Sequence, residues 1–587
     1  MNSRWKRSAL AACIAAATFI SNGAEAQAQN YERYKPLTVP SQPSAQPRVQ
    51  PERLEPVQGS DKVLVEELAG IIVLDHNDKV DAEDSHAGVL GIQHDFDDPT
   101  SLVYGNGVQA ILNRYIGGTV TLRRLNQMSR DIISYYRKCG QPVVDVVIPE
   151  QKITSGVVQI VVTETRIGSV KITDGCHFDA DDLCRWIQCT RRGDKIYENK
   201  LNNDLFWLNQ NPFRRVSVDM RPGAVDGTTD VIFDIDDVCP IRGYTGYEDT
   251  GVRTLGLERL YAGMIYGNAF GKGGLLSYQY TADAEFYRLN AHSVSYAQPV
   301  NRSYSWNAYG SWAGVSPTIP TVNQDGESWQ VGLGITRHLQ KTQWVDTNWS
   351  IGADFKQTNN NLEFGGQQVQ NSAADLLQLR LSFQHLWRGC RDEYGLLTLD
   401  SFVGPGSGFT SDHNTAAFNT IRANTTPDYF YTRLRAERMW NVREDWQLMG
   451  RFVGQLASER LLFSETLGFG GYDSIRGYDQ RVYSGDDGWF ASLEFGPRTK
   501  RFGTCSDPNT FRAFTFLDMG GGSVQDALPG EVSDEFLVSA GLGMRLAISD
   551  RISMRASYGH GFESVPGAES RDRVHIGIVS LFGPRVR

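Results

Sequence analysis

From Cys239 to Arg587 apolar and polar residues alternate with a period of two, and no other feature restricts the fold so tightly. In LLQLRLSFQHL, Leu377, Leu379, Leu381 and Phe383 alternate with Gln378, Arg380, Ser382 and Gln384. In YFYTRLRAER, Phe430, Thr432, Leu434 and Ala436 alternate with Tyr431, Arg433, Arg435 and Glu437. In VSAGLGMRLAI, Val538, Ala540, Leu542, Met544, Leu546 and Ile548 alternate with Ser539, Gly541, Gly543, Arg545 and Ala547. A strand turns successive side chains to opposite faces, so each of these has one apolar face and one that carries full charges. A soluble sandwich shares that alternation. Strands of about ten residues, aromatic ends (Trp306, Trp312, Trp387, Trp440, Trp489) and short turns such as Gly271–Gly273 alternating with long polar loops such as 404–427 point instead to a membrane barrel. About sixteen strands fit the region.

Composition agrees. The chain has 587 residues, is 11% aromatic and only 21% charged, holds 59 glycines and carries a net charge of -10. An acidic balance argues against a nucleic-acid partner, which calls for a basic face. After the first residues no apolar run reaches the roughly 18 residues that a spanning helix needs. A closed barrel is the other structure that satisfies every backbone group in lipid.

The first 28 residues read as a signal peptide: Arg4, Lys6 and Arg7, then an apolar stretch from Ala9 to Ile20, then small-x-small cleavage sites around Ala24–Ala28. LAAC at Leu10–Cys13 mimics a lipoprotein box but has too little apolar sequence before it. Residues 29–60 are a linker, punctuated by Pro36, Pro40, Pro43, Pro47, Pro51 and Pro56 and expected to be extended. Residues 61–165 and 166–238 read as two tandem small α/β domains. In the first, Leu122, Leu125, Met128, Ile132 and Tyr136 form one face of a helix that Gly140 ends. An acidic stretch at 79–107 fits no element of the plan. In the second, two helices precede strands with Val216, Val218, Met220 and Val231, Phe233, Ile235 on one face. Exposed sheet edges in such units can accept an extended peptide as an added strand.

Seven cysteines follow the leader: Cys139, Cys176, Cys184, Cys189, Cys239, Cys390 and Cys505. An export route predicts one or two disulfides among them, with at least one thiol left over. Cys176, His177, Cys184 and Cys189 match no common zinc spacing, so no metal is expected. Gly267–Gly273 lacks the spacing and the Ser/Thr of a phosphate-binding loop. No nucleophile-base constellation appears either. Neither a cofactor nor an enzyme activity is expected.

Three passages carry a family resemblance. WLNQNPFRRV holds Trp207, Leu208, Asn209, Asn211, Pro212, Phe213 and Arg214 in the pattern of a POTRA-domain signature. YTGYEDTGVRTLG followed by AGMIYGNAFGKGG looks like a first barrel hairpin. GGYDSIRGY (Ile475, Arg476, Gly477, Tyr478), followed by FTFLDMGGG (Phe516, Asp518, Gly520), looks like the superfamily motif pair. Over roughly residues 61–587 the chain resembles the TpsB transporters of two-partner secretion, the ShlB/FhaC/HecB type of POTRA-plus-barrel protein. The resemblance implies a mainly β chain: a sixteen-stranded transmembrane barrel at 239–587 in the bacterial outer membrane and two POTRA domains in the periplasm. It implies capture of an unfolded TpsA-type β-helical partner and its passage through the barrel without ATP. Outer-membrane lipids surround such a barrel, and periplasmic chaperones and the barrel-assembly machinery build it. The rival within the superfamily is an insertase that folds other barrels, which shares both barrel motifs.

The resemblance also implies that the loop bearing Arg476 folds into the lumen and that Arg476 pairs with Asp518. Guanidinium and carboxylate form a directional, two-pronged anchor. Gly477 then permits a tight backbone and Tyr478 packs on the inner wall. For Asn211–Arg215 the residues themselves suggest a structural role, since Asn-Pro ends a helix and Phe213 begins a core-facing strand. Two departures stand out. Residues 27–60 show no amphipathic helix of the kind that plugs family barrels, so the plug is absent or replaced by an extended segment. The final strand ends at Phe582, but Gly583–Arg587 follow, and Ser580 stands where an apolar residue is usual.

Overall fold

The computed structural model describes residues 33–37, 49, 54, 56–83, 86, 88–316, 325–358, 373–389, 392–504, 507–565 and 570–584. The expected leader at 1–28, most of the expected linker at 29–60, Cys390 and Cys505 lie outside the described residues. The chain divides into two compact units, residues 41–237 and residues 238–587 joined by the segment before residue 41.

In the unit of residues 41–237, the first sheet orders its strands Gly91–Asp95, Gly70–Leu74, Val157–Thr163 and Asp145–Val147. Val158, Ile160 and Val162 pack with Ile71 and Val73 against the helix Leu122–Lys138. Leu125, Met128, Ile132 and Tyr136 are the buried face of that helix, each stabilising the domain by roughly 2 kcal/mol. Leu122 lies off this face and is exposed. It is the first helical residue, where the Thr121 hydroxyl caps the Arg124 N–H and turns the chain outward. The acidic 79–107 stretch has a place after all. Its strand Gly91–Asp95 extends the sheet in parallel, and Val80 and Val89 cover Ile72, Leu74, Val157 and Val161 on the second face. Val63–Val65 pairs with Val120–Thr121 and does not join this sheet.

The second sheet orders Arg166–Ile172, Thr228–Asp237 and Arg214–Pro222, with helices Ala180–Cys184 and Glu198–Leu208 between the first strand and the others. Lys195 of this half meets two acids of the first half, Glu164 at 2.6 Å and Asp98 at 3.0 Å. Arg166 reaches Asp98 as well, at 3.0 Å. The expected disulfides do not form at Cys139, Cys176, Cys184 or Cys239, which are free thiols.

The remaining unit is a closed antiparallel barrel of sixteen strands. They are β1 (Ile241–Glu248), β2 (Arg259–Ala269), β3 (Gly274–Ala282), β4 (Leu289–Pro299), β5 (Tyr304–Val315), β6 (Gly326–Lys341), β7 (Val345–Thr358) and β8 (Ala374–Arg388). There follow β9 (Tyr394–Pro405), β10 (Asp428–Arg443), β11 (Trp446–Ala457), β12 (Asp487–Pro497, resuming at Lys500–Thr504), β13 (Asp507–Ser523), β14 (Asp534–Ile548), β15 (Ile552–Gly561) and β16 (Asp572–Phe582). Both pieces of β12 pair with β13, which makes them one interrupted strand. Closure comes from Gly243–Glu248 of β1 against Gly577–Phe582 of β16.

The alternation decides which side faces lipid. Leu333, Ile335, Ile351, Leu379, Leu381, Leu542, Met544 and Ile576 are all exposed on the outer wall. Gln378, Arg433, Glu437, Gln455, Glu494, Arg512 and Asp518 are buried inside. Bilayer hydrocarbon accepts the first set and penalises the second, so the polar set must be satisfied within the lumen.

Part of the N-terminal segment occupies that lumen. Arg33 and Tyr34 belong to a helical turn and the chain is irregular to Leu37. Tyr34 packs on Val252, Leu255, Leu289 and Ala291, and its carbonyl accepts from Gln279 and Ser293. The Leu37 N–H donates to Tyr244 Oη at 3.0 Å.

Candidate functional site

Between β11 and β12 the chain turns inward. Ile475 is fully buried among Val453, Leu467, Phe469, Phe490 and Leu537, so an apolar plug precedes the polar contacts. The next residue, Arg476, is only 2% exposed. Its Nε and Nη2 donate to the two oxygens of Asp518 at 2.8 and 2.7 Å, and its backbone N–H donates to the same carboxylate at 3.1 Å. The Phe516 ring lies 3.6 Å from the guanidinium carbon, which adds a cation–π contact. Gly520 stands where a Cβ would strike Phe490 at 2.4 Å. The three fixed residues of the F-x-D-x-G motif thus contribute differently. Phe516 gives a face to the cation, Asp518 gives a carboxylate to its fork, and Gly520 leaves room for the adjacent strand at Trp489 and Phe490.

Gly477 and Tyr478 fit a wall cut to receive them. A Cβ on Gly477 would lie 2.5 Å from the Gly561 nitrogen and 2.6 Å from Ser539 Cβ. A Cβ on Gly559 would meet the Arg476 backbone at 2.7 Å, and one on Gly561 the Tyr478 ring at 2.5 Å. Close approach of two backbones is what glycine permits and other residues forbid. Tyr478 Oη donates to the carbonyl oxygens of Val538 and Glu563 and accepts from the Glu563 N–H at 3.0 Å.

Sequence reasoning missed the rest of this network. Glu494 on β12 accepts from Arg476 at 2.8 Å, Arg545 at 2.7 Å and Arg512 at 3.1 Å. Ser492 accepts from Arg476 Nη2 at 2.8 Å. His575 on β16 donates through Nε2 to the Arg476 carbonyl at 3.1 Å. Beyond the motif, Asp479 pairs with Arg253 and Arg573. At the start of the loop, Glu465 takes Lys356 of β7 at 2.9 Å together with Gln378 and Tyr431. Asp486 at its end takes Arg422 at 2.7 Å. Glu494 was recoverable from the parity of WFASLEFGP, which places it on the polar face with Ser492. The others lie on loops or distant strands, and no local pattern links them to the motif.

The passage Trp207–Arg214, expected as a POTRA signature, is internal to its domain. Trp207 stacks on Trp186 at 5.9 Å. Leu208 and Phe213 are fully buried. Asn209 ends the helix Glu198–Leu208 and imitates a strand partner, accepting from Val216 N at 2.8 Å and donating to Val216 O at 2.9 Å. Asn211 accepts from the Phe213 N–H across Pro212, and Arg214 Nε donates to the Leu208 carbonyl at 2.7 Å. The signature is thus a hinge of hydrogen bonds that fixes the helix-to-strand turn.

A separate groove of about 780 Å³ runs along the first α/β domain. Its walls are the helix Leu122–Lys138 and the edge strand Asp145–Val147, and Leu54, Pro56 and Val57 lie along it.

Apolar outer staves, a charged lumen crossed by an ion-paired loop, and small α/β domains ahead of the barrel define an outer-membrane transporter of the POTRA-and-barrel kind. Residues 227–546 match the family described as haemolysin secretion/activation protein ShlB/FhaC/HecB, and residues 96–165 match the ShlB-type POTRA domain. The chain belongs to that family, with its barrel in the outer membrane and its POTRA domains on the periplasmic side. It is 21% identical over 424 residues to the outer membrane transporter CdiB of Dickeya dadantii, covering 69% of each chain. It is 20% identical over 392 residues to the heme/hemopexin transporter protein HuxB of Haemophilus influenzae, covering 66% of this chain and 68% of that one. The solved CdiB of Escherichia coli shares the fold, with a TM-score of 0.59, 17% identity and coverage of 91% and 94%.

Proposed function

We propose that this transporter secretes one dedicated TpsA-type partner. Its POTRA domains take hold of the unfolded partner in the periplasm, and the chain then passes through the barrel and folds outside. Folding on the far side biases the movement, so no nucleotide is consumed. Lipids of the outer membrane surround the barrel, chaperones and the barrel-assembly machinery deliver it there, and neither a cofactor nor nucleic acid takes part.

One observation carries this reading. The lumenal loop is fixed by side-chain ion pairs at Arg476, Asp479, Glu465 and Asp486, on separate sectors of the wall. Such a closure can be released in pieces and reformed, unlike a strand ladder. The groove beside Asp145–Val147 supports the capture step, because an edge strand offers unpaired backbone groups to an extended chain. Deletion of the gene, followed by quantification of exported proteins, tests the proposal. Loss of a single large β-helical protein from the medium is the expected result. A general loss of outer-membrane barrels would replace it with the insertase reading.

A further inference from the structure

On the periplasmic side of the Arg476 anchor, the barrel wall carries a row of arginines. Arg512 of β13 stands directly opposite Arg545 of β14, and Arg545 directly opposite Arg555 of β15. Like charges in adjacent cross-strand positions repel and destabilise a sheet. The available carboxylates offset this only in part. Glu494 is shared among Arg476, Arg512 and Arg545, and Glu248 serves Arg555 at 2.8 Å.

Arg512 is the least satisfied of the three. It is 5% exposed, and its Nη1 donates to Glu494 and to Met449 Sδ. Its Nε and Nη2 are buried with no partner among the described residues. A buried N–H without an acceptor costs about 1–3 kcal/mol, more on a charged group. All three arginines line one cavity of about 530 Å³, together with Tyr394 and Tyr472. The cavity reaches Asp392 in the short turn between β8 and β9, and Thr499 in the interruption of β12. Asp392 is already engaged by Arg501 at 2.7 Å, so it does not neutralise the row.

We propose that the Arg512–Arg545–Arg555 row is an anion-binding site in the periplasmic half of the lumen, taking a carboxylate at the free edge of Arg512. A planar guanidinium edge matches two carboxylate oxygens. The same chemistry serves a glutamate or aspartate of a polypeptide entering the barrel and a free anion. Assigning the carboxylate to a chain in transit rests on the transport reading; the site itself does not.

Titration calorimetry on the purified full-length protein in detergent tests it, with hexaglutamate as probe. Binding to the unaltered protein is expected, with no heat from hexalysine. Arg512→Gln should weaken hexaglutamate at least tenfold, and Arg512→Lys about threefold. Heat-modifiable gel migration verifies that each variant keeps a folded barrel. A benzophenone-tagged hexaglutamate should cross-link the unaltered protein within residues 507–523 or 534–561. That readout does not depend on either variant folding. Displacement by millimolar phosphate would identify a general anion site, and resistance to it a site selective for peptide carboxylates; both sustain the proposal. Equal affinity in Arg512→Gln, equal binding of hexalysine, or cross-links confined to residues 41–237 would overturn it. Secretion can fail in cells while this binding persists, so the two readings fail separately.

Discussion

Arg476 and Glu494 form a 2.8 Å ion pair beside the bidentate pairing of Arg476 with Asp518. The lumenal anchor is therefore one guanidinium between two carboxylates, with Arg512 and Arg545 closing the other side of Glu494.

That geometry sets the outcome of charge reversal. Arg476→Glu places three buried acids together and should abolish secretion, at a cost of about 3–5 kcal/mol to loop docking. The swap of Arg476→Glu with Asp518→Arg should recover little, because the new glutamate would still face Glu494. Asp518→Asn should retain more secretion than Asp518→Ala, since it keeps one acceptor. Secretion assays with matched membrane levels check all three, and full activity of Arg476→Glu would refute the anchor.

Gly559→Val tests the shape of the wall. A Cβ there lies 2.7 Å from the Arg476 backbone and cannot be accommodated without moving the loop. Overpacking of this kind costs about 1–3 kcal/mol. The variant should assemble into a barrel yet expose the loop to added protease, whereas the unaltered protein resists.

Asn209→Leu should destabilise the second α/β domain by about 2 kcal/mol, because both backbone groups of Val216 lose their partner. Thermal unfolding followed by circular dichroism would register this, and an unchanged midpoint would show that the signature serves something other than the turn.

The junction of the two α/β domains should depend on pH in a defined sense. The Thr100 hydroxyl and N–H, and then Lys195, hold the Asp98 carboxyl well below the usual carboxylate range. Burial opposes the Lys195 charge, but its hydrogen bonds to Glu164 and Asp98 raise its pKa overall. A depressed carboxyl contributes above its unfolded value of about 3.9 and loses that contribution as pH falls through the folded one. A raised lysine contributes below about 10.4 and loses it as pH rises through the folded value. Distances between spin labels on the two domains should hold steady from about pH 5 to 9 and broaden under stronger acid.

Tyr34→Ala should loosen the N-terminal segment, which rests on Val252, Leu255 and Leu289. Truncating a buried aromatic costs about 3–5 kcal/mol. Single-channel recording should show a larger or more frequently open pore. An identical conductance would mean that this segment does not restrict it.

Much of this fold is visible in the sequence. A period of two over Leu377–Phe383 or Val538–Ile548 announces the outer stave and the inner lining, because bilayer and lumen demand opposite chemistry of neighbouring residues. The pairing of Arg476 with Asp518 was readable only through two motifs taken together. What escaped was non-local. Gly91–Asp95 resembles an acidic insertion until its parallel partner Gly70–Leu74 is known. Tyr34 gives no periodic signal, since the described stretch Arg33–Leu37 is too short to carry one. His575 meets the loop, and Arg573 meets Asp479 of the loop, only because the barrel closes, and closure leaves no mark in a linear pattern.

His575 also bears on the order in which the molecule is made. It resides on the last strand, whose other edge seals the first, and it holds the carbonyl of a residue nearly a hundred positions earlier. The inward loop can therefore complete its seat only after the C-terminal stave has arrived. Sealing of the cylinder and filling of its bore become a single late event in biogenesis, and a nascent protein lacking its final segment would be left both unsealed and empty.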